Sequence, residues 1–184
     1  MNEQIAYMAT RGISEATVLE YGIGYDPTER AVTFPYYDAL GRQQTFRRRY
    51  LNHTTKKYLG PKGVPLMLYN VIDTDEDWLF VAEGEIDTLT LKQLGHAAVG
   101  VPGANSFKDS WRWLFVDKKV RLILDADPGK VRADGTVFHP GQDGAARIRA
   151  MLSTTADYVE VVALPVGSDV NSLHLAGELG QYIE

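Results

Sequence analysis

Residues 78–95 read WLFVAEGEIDTLTLKQLG, residues 97–106 read AAVGVPGANS and residues 120–129 read VRLILDADPG. Each begins as a short apolar run and ends in small or acidic residues. Glu83 closes the first, Gly103 to Ser106 close the second, and Asp125 and Asp127 close the third. Apolar runs this short, alternating with segments of helical spacing, read as βα units and a parallel sheet. The carboxyl ends of such strands collect on one side, where open α/β sheets bind ligands. Glu83, Asp125 and Asp127 are therefore expected in one site. Asp125 and Asp127 alternate, so an extended backbone points both side chains the same way. A carboxylate at the end of a buried strand loses hydration unless a cation or hydrogen-bond donors compensate. Hard divalent cations prefer carboxylate oxygens, so a Mg²⁺ or Mn²⁺ site is the natural expectation. Gly84 permits close approach or an unusual dihedral beside Glu83.

Downstream, Gly141–Leu152 reads as a helix, Val159–Leu164 as a fourth strand and Asn171–Leu179 as a last short helix. Phe107–Phe115 is expected to be helical, with Trp111, Leu114 and Phe115 towards the sheet. Residues 128–142, PGKVRADGTVFHPGQ, are too long and too rich in Gly and Pro for a minimal βα loop. They predict a small hairpin or flap carrying Lys130, Arg132 and His139. Asp169, in SDVNSL, reads either as the N-cap of the last helix or as a further member of the acidic set. Asp87 reads either as a helix cap or as a residue behind the metal site. GVPGAN offers backbone N–H groups that could face a phosphate.

Upstream, residues 3–22 look helical, with Ser14 as an N-cap and Gly22 as a stop. Residues 31–50 look like a hairpin: AVTFPYY, the turn DALGR, then QQTFRRRY. Alternation along the second strand sets Arg47 and Arg49 on one face, with Phe46 and Arg48 on the other. PLMLYN (65–70) is expected to be a short strand, and the domain boundary is placed near Ile72. The fold class is thus α/β, with a parallel sheet of about four strands flanked by helices over 73–184. A small, basic α+β subdomain precedes it over 1–72.

With 184 residues, 45% hydrophobic and 23% charged, the chain has the composition of a globular protein with a real core. It has no cysteine, which removes disulfides and cysteine-based zinc sites. No apolar run approaches the ~20 residues that span a bilayer, and the N-terminus lacks a secretory pattern. A cytoplasmic protein without a membrane partner is expected. The net charge of −5 is unevenly spread. Arg42, Arg47, Arg48, Arg49, Lys56, Lys57 and Lys62 lie in a stretch without acids. Asp73, Asp75, Glu76, Asp77, Glu85 and Asp87 surround Glu83 in a stretch without bases. Basic residues interleaved with Tyr50 and Tyr58 are the pattern that holds single strands by phosphate contact and base stacking. There is no nucleophile elbow, and no phosphate-binding loop of the GxxxxGK[ST] type.

EGEIDTLTLKQLG, GVPGANS, LILDADPG and the later LPVGSDVNSL together resemble the Toprim domain. Bacterial-type primases, type IA and type II topoisomerases, overcoming-lysogenization-defect nucleases and small recombination proteins share that domain. Its glutamate after the first strand and DxD after the third are matched by Glu83 and by Asp125 and Asp127. The preceding RGISEATVLEYGIGY, VTFPYYDALGRQQTFRRRY, KKYLGPKG and MLYN look like the segment before Toprim in bacterial and phage primases, so the resemblance covers nearly the whole chain. It implies metal-dependent, template-directed RNA primer synthesis on single-stranded DNA. It implies that Glu83 is an acid/base or metal-organising residue and that Asp125 and Asp127 are metal ligands. Asp169 falls in a motif similar to that family's KDAN. Arg47, Arg48, Arg49, Lys57, Tyr58 and Lys62 become template or nucleotide contacts by analogy.

 Two Mg²⁺ or Mn²⁺ ions, ribonucleoside triphosphates and a single-stranded DNA template are the cofactors and partners this resemblance implies.

Two departures stand out. In primases the second aspartate is followed closely by AG and a helix, whereas PGKVRADGTVFHPGQDGAA intervenes here. The zinc-binding and helicase modules that accompany primase cores do not occur in these residues, so either could be a partner. A Toprim nuclease, in which the same metals assist water, is the alternative enzyme. A non-catalytic nucleic-acid binding module is the alternative outside enzymes.

Overall fold

The computed structural model describes residues 2–51 and 58–184. Two helices, α1 (Glu3–Ala9) and α2 (Glu15–Glu20), open the chain. The helical character expected over 3–22 divides at Gly12, which turns the chain at φ 68°, and the short helix expected after Ser14 is α2, capped by Ser14 accepting from the Thr17 N–H. An antiparallel sheet follows in the order β1 (Gly24–Asp26), β2 (Ala31–Tyr37), β3 (Gln43–Tyr50) and β4 (Tyr58–Leu59). The β2–β3 hairpin has the expected bounds, and Pro35 lies opposite Phe46 in it.

The second sheet contains β5 (Trp78–Glu83), β6 (Ala98–Val101), β7 (Lys119–Ile123) and β10 (Tyr158–Val161), all parallel, in the order β10-β7-β5-β6. Its alternation is visible in the core. Leu79 and Val81 face a cluster with Ile148 and Leu152 of α4 (Pro140–Leu152), while Phe80 and Ala82 face Val170 and Leu173 of α5 (Val170–Ala176). Helix α3 (Gly84–Gln93) touches α5 and β6, and a four-residue helix α6 (Gly180–Ile183) ends the chain. Helices thus cover both faces, which is why the central strands read as continuous apolar runs. The chain leaves β5 towards β6, then returns to the other side of β5 as β7. That reversal makes the β5/β7 carboxyl ends a switch point of the kind where open sheets bind ligands.

The two sheets share packing. Ile86 and Leu89 of α3 are buried with Met8, Val18, Phe34 and Tyr36. The small hairpin expected after the DxD is present, as β8 (Lys130–Val131) paired with β9 (Val137–Phe138).

Several expectations require correction. PLMLYN is not a strand: only Tyr69 bridges, exchanging two backbone hydrogen bonds with Gly100. Asn70 then enters the left-handed region at φ 55°, donates to the Ala98 carbonyl, and turns the chain away from the sheet. The helical segment expected over 107–115 is present as a 3-10 helix over residues 109–115, with Trp111, Leu114 and Phe115 packed against the sheet's core, and its type is what the sequence did not specify. Three aromatic residues there are weak helix formers, and Phe107 packs against Trp111 and Phe115 at ring separations of 5.7 and 5.9 Å. Helix α3 starts at Gly84, so Asp87 lies inside its first turn and does not cap it.

Candidate functional site

Glu83 ends β5, and Asp125 follows β7 by two residues, so the register of Ala82 opposite Ile123 brings the two acids side by side. Gly84 takes φ 83°, a conformation that glycine adopts without strain, and starts α3 directly after Glu83. The 167–169 loop is laced to the DxD segment: Ala126 donates to the Ser168 carbonyl and accepts from the Gly167 N–H. This carries Asp169 to the same place. Glu83, Asp87, Asp125 and Asp169 line one cavity of about 220 Å³ with Gly84, Pro102 and Gly103.

Asp169 is the N-cap of α5: its Oδ1 accepts from the Ser172 N–H at 2.6 Å in a capping box, and the residue is also among those lining the cavity. Asp127 stands beside the cavity rather than in its lining. Its Oδ2 accepts from the Gly141 N–H at 3.1 Å, and Lys130 Nζ lies 3.4 Å from its Oδ1. Its carbonyl accepts from Gln142 Nε2 at 3.0 Å. The hairpin and the start of α4 therefore hold the second aspartate from two sides.

The acids strain against one another. Burial pushes the Glu83 carboxyl above its usual range, Asp127 adds to this, and backbone N–H groups of Ala104 and Asp125 pull back. Asp87 is pushed well above the usual carboxylate range, by burial first and then by the charges of Asp169 and Asp125. Glu83 Oε2 is buried without a hydrogen-bond partner among the described residues.

Those observations bear on the expected metal ions. All donors in the cluster are hard carboxylate oxygens, and their mutual repulsion is what a divalent cation relieves. Among the described residues, no group of three or more His, Asp or Glu side chains is arranged to hold a metal ion. The donor chemistry fits such a cation, while the side chains have not converged on a point.

The opposite wall is basic. Arg47, Arg49 and Tyr58 line the same cavity, together with Arg11. Alternation along β3 delivers Arg47 and Arg49, as expected, because Phe34 and Val32 are their cross-strand partners. Arg49 Nη1 donates to the Tyr58 hydroxyl at 2.7 Å, and the guanidiniums of Arg47 and Arg49 lie 5.2 and 4.9 Å from the Tyr58 ring centre. Tyr58 spaces the two cations. Arg48 points to the other face, where its Nε pairs with Asp26 Oδ2 at 2.9 Å. Lys62 is exposed on a turn outside the cavity. Lys57 lies outside the described residues.

Two participants escaped the sequence reading. Arg11 follows α1 in a short connection, and its carbonyl accepts from Asn171 Nδ2 at 2.7 Å. Glu85 looked like one more acid of the set but turns away to the basic wall, where it accepts from Tyr36 and Arg47. The signal for Glu85 lay in β2 and β3. If Val32, Phe34 and Tyr36 share an apolar face, arginines opposite them need a buried partner.

No protein-family model matches the chain. It is 31% identical over 131 residues to the Gene 57 protein of Mycobacterium phage D29, covering 69% of this chain and 76% of that protein. It superposes on the Aquifex aeolicus primase zinc-binding and RNA polymerase domains with a TM-score of 0.75 and 18% identity. That match covers 96% of this chain and 53% of the other, so the chain spans about half the length of the Aquifex protein. The primase fragment of the bacteriophage T7 primase-helicase protein matches with a TM-score of 0.74 and 22% identity, covering 96% of this chain and 72% of that one. The fold is that of primase catalytic cores.

Proposed function

We propose that this chain, which belongs to the family of the Gene 57 protein of Mycobacterium phage D29, is the catalytic core of a DNA primase. It would join ribonucleoside triphosphates on a single-stranded DNA template. The observation that carries this reading is the opposition of charge across one cavity. Carboxylates from the ends of β5 and β7 face arginines from β3. A triphosphate is a polyanion whose reacting phosphorus must meet a hydroxyl nucleophile. A site with cations on one wall and hard oxygen donors on the other suits it.

Glu83, Asp125 and Asp127, with Asp169 beside them, are the residues that would hold two magnesium or manganese ions. Such ions, when bound, neutralise phosphate charge and favour ionisation of the primer 3′ hydroxyl. Glu83 Oε2, buried and without a hydrogen-bond partner among the described residues, is an acceptor such an ion would use. Arg47 and Arg49 take phosphate oxygens of the nucleotide or of the template, and Arg11 closes the cavity from the N-terminal side. Asp87 lies behind the others and accepts from the Asn171 N–H, which fixes α5 against the site. A zinc-binding module and a replicative helicase are the proposed partners for initiation and unwinding.

Primer synthesis on single-stranded DNA with ribonucleoside triphosphates and Mg²⁺ or Mn²⁺ tests the reading. Extension products are expected from the native chain, and their loss when Asp125→Ala and Asp127→Ala are combined. Undiminished synthesis by that variant removes the carboxylates from the mechanism. Cleavage of the strand in the absence of nucleotides assigns the site to a nuclease instead.

A further inference from the structure

Glu85 is the second residue of α3 and only 1% exposed. It sits between the acids of EGEID, yet its Oε1 accepts from the Tyr36 hydroxyl at 2.7 Å and from Arg47 Nη1 at 3.1 Å. A buried carboxylate is tolerated only when paired and hydrogen-bonded, and both partners here come from the other sheet. Arg47 is itself 13% exposed at its side chain, and its Nε is buried with no partner among the described residues. The guanidinium therefore spends one edge on Glu85 and keeps a buried donor unused while lining the cavity. Burial alone would lower the Arg47 pKa, but Glu85 and Tyr36 more than offset it.

We propose that Glu85 is a positioning residue that holds the Arg47 guanidinium so that its remaining N–H donors meet a phosphate oxygen in the cavity. This rests on the primase reading and adds to it the means by which the basic wall is fixed to the acidic one. Glu85 belongs to the helix that begins at Glu83, and Arg47 belongs to β3. One ion pair thus sets the distance between the wall that takes phosphate and the wall that takes metal. Tyr36 completes the arrangement by donating to the same Glu85 oxygen, which restricts the carboxylate to one orientation. The phosphate could belong to an incoming nucleotide or to the template strand, and the two sources are separable.

Glu85→Gln tests the proposal, since Gln retains the acceptor for Tyr36 and removes the charge that holds Arg47. Binding of a labelled ribonucleoside triphosphate and of a labelled single-stranded oligonucleotide is measured separately, with no polymerisation required. A loss of about ten-fold in one of the two affinities is expected, on the scale of a charge-assisted hydrogen bond. Its appearance in the triphosphate arm identifies the nucleotide as the source, and in the oligonucleotide arm the template. In the Arg47→Ala background the same substitution should then have no further effect on that affinity. Glu85→Asp, which restores the charge on a shorter arm, should recover part of it.

Unchanged affinity for both ligands in Glu85→Gln, with the melting temperature of the native chain, overturns the proposal. So does an equal further loss in the Arg47→Ala background, which would place Glu85 outside the path through Arg47. If the native chain binds both ligands but makes no primer, the primase reading fails while the positioning role stands or falls on the binding data. If the native chain binds neither ligand, both fail.

Discussion

Asp87 Oδ1 accepts a hydrogen bond from the Asn171 backbone N–H at 2.9 Å, joining α3 to the start of α5 beneath the acidic cavity. The bond is made in a place that disfavours the charged form of its acceptor. The folded-state pKa of Asp87 is raised by burial and by Asp169 and Asp125. Between the unfolded and folded pKa values the folded chain binds more protons than the unfolded chain, so stability falls as pH rises through that window. The stability in question is fully present below the ordinary aspartate pKa of about 4. Asp87→Asn keeps an oxygen for the Asn171 N–H and removes the charge. In chelator it should melt at a higher temperature than the native chain at neutral pH, with a difference that shrinks on acidification to about pH 4. Added Mg²⁺ should raise the melting temperature of the native chain more than that of the variant. Thermal melts across pH, with and without metal, check both statements.

Gly141 has no room for a side chain, because a Cβ there would collide with the Asp125 carbonyl oxygen. Its N–H also holds Asp127 Oδ2. Gly141→Ala should push the start of α4 away from the DxD segment and cost about 1–3 kcal/mol, the range for overpacking a close contact. Urea unfolding measures that cost. Primer synthesis should fall further than the stability loss explains, since both aspartates move.

Lys130 reaches Asp127 from the hairpin, with its own side chain 54% exposed. An exposed pair of this kind contributes about 0–1 kcal/mol, so Lys130→Ala should leave unfolding nearly unchanged. It should affect cation binding instead. Lys130 occupies an oxygen that a divalent ion would use, and it also lowers the Glu83 pKa. Its removal should tighten Mn²⁺ binding by about two- to five-fold at low salt, where such charges act most strongly. Calorimetry decides this, and weaker binding would mean that Lys130 helps to assemble the site rather than competing for it.

The parallel sheet was legible because both of its faces are buried. Leu79, Phe80, Val81 and Ala82 all read as apolar whichever way they point. The placing of Glu83 and Asp125 followed from strand ends, a purely local feature. The alternation that separates Arg47 and Arg49 from Arg48 was local too. Glu85 was not legible by the same means. Nothing within EGEID distinguishes an acid facing the cavity from one facing back, and its partners Tyr36 and Arg47 lie 49 and 38 residues earlier. Arg11 depends on Asn171, 160 residues away. The 65–70 segment shows the converse: its apolar residues suit a strand, but one left-handed residue, Asn70, limits it to a single bridge.

The arginine triplet offers the sharpest separation of site from surface. Arg47 and Arg49 line the cavity, whereas Arg48 pairs with Asp26 on the other face and its guanidinium packs 4.7 Å from the Phe46 ring centre. Arg49→Ala should weaken oligonucleotide or triphosphate binding by about ten-fold, the scale of a lost charge-assisted hydrogen bond. If its contact is to the template, the slope of log affinity against log salt should become shallower by about 0.7, the value for one phosphate on a single strand. Arg48→Ala removes the same formal charge from the same strand. It should leave the salt slope and primer synthesis close to native, with a stability loss of about 1 kcal/mol from its partly buried ion pair with Asp26. Equal losses from Arg48→Ala and Arg49→Ala would mean that binding follows net charge rather than the cavity. Salt titrations of both variants, run side by side with one oligonucleotide, separate the two outcomes.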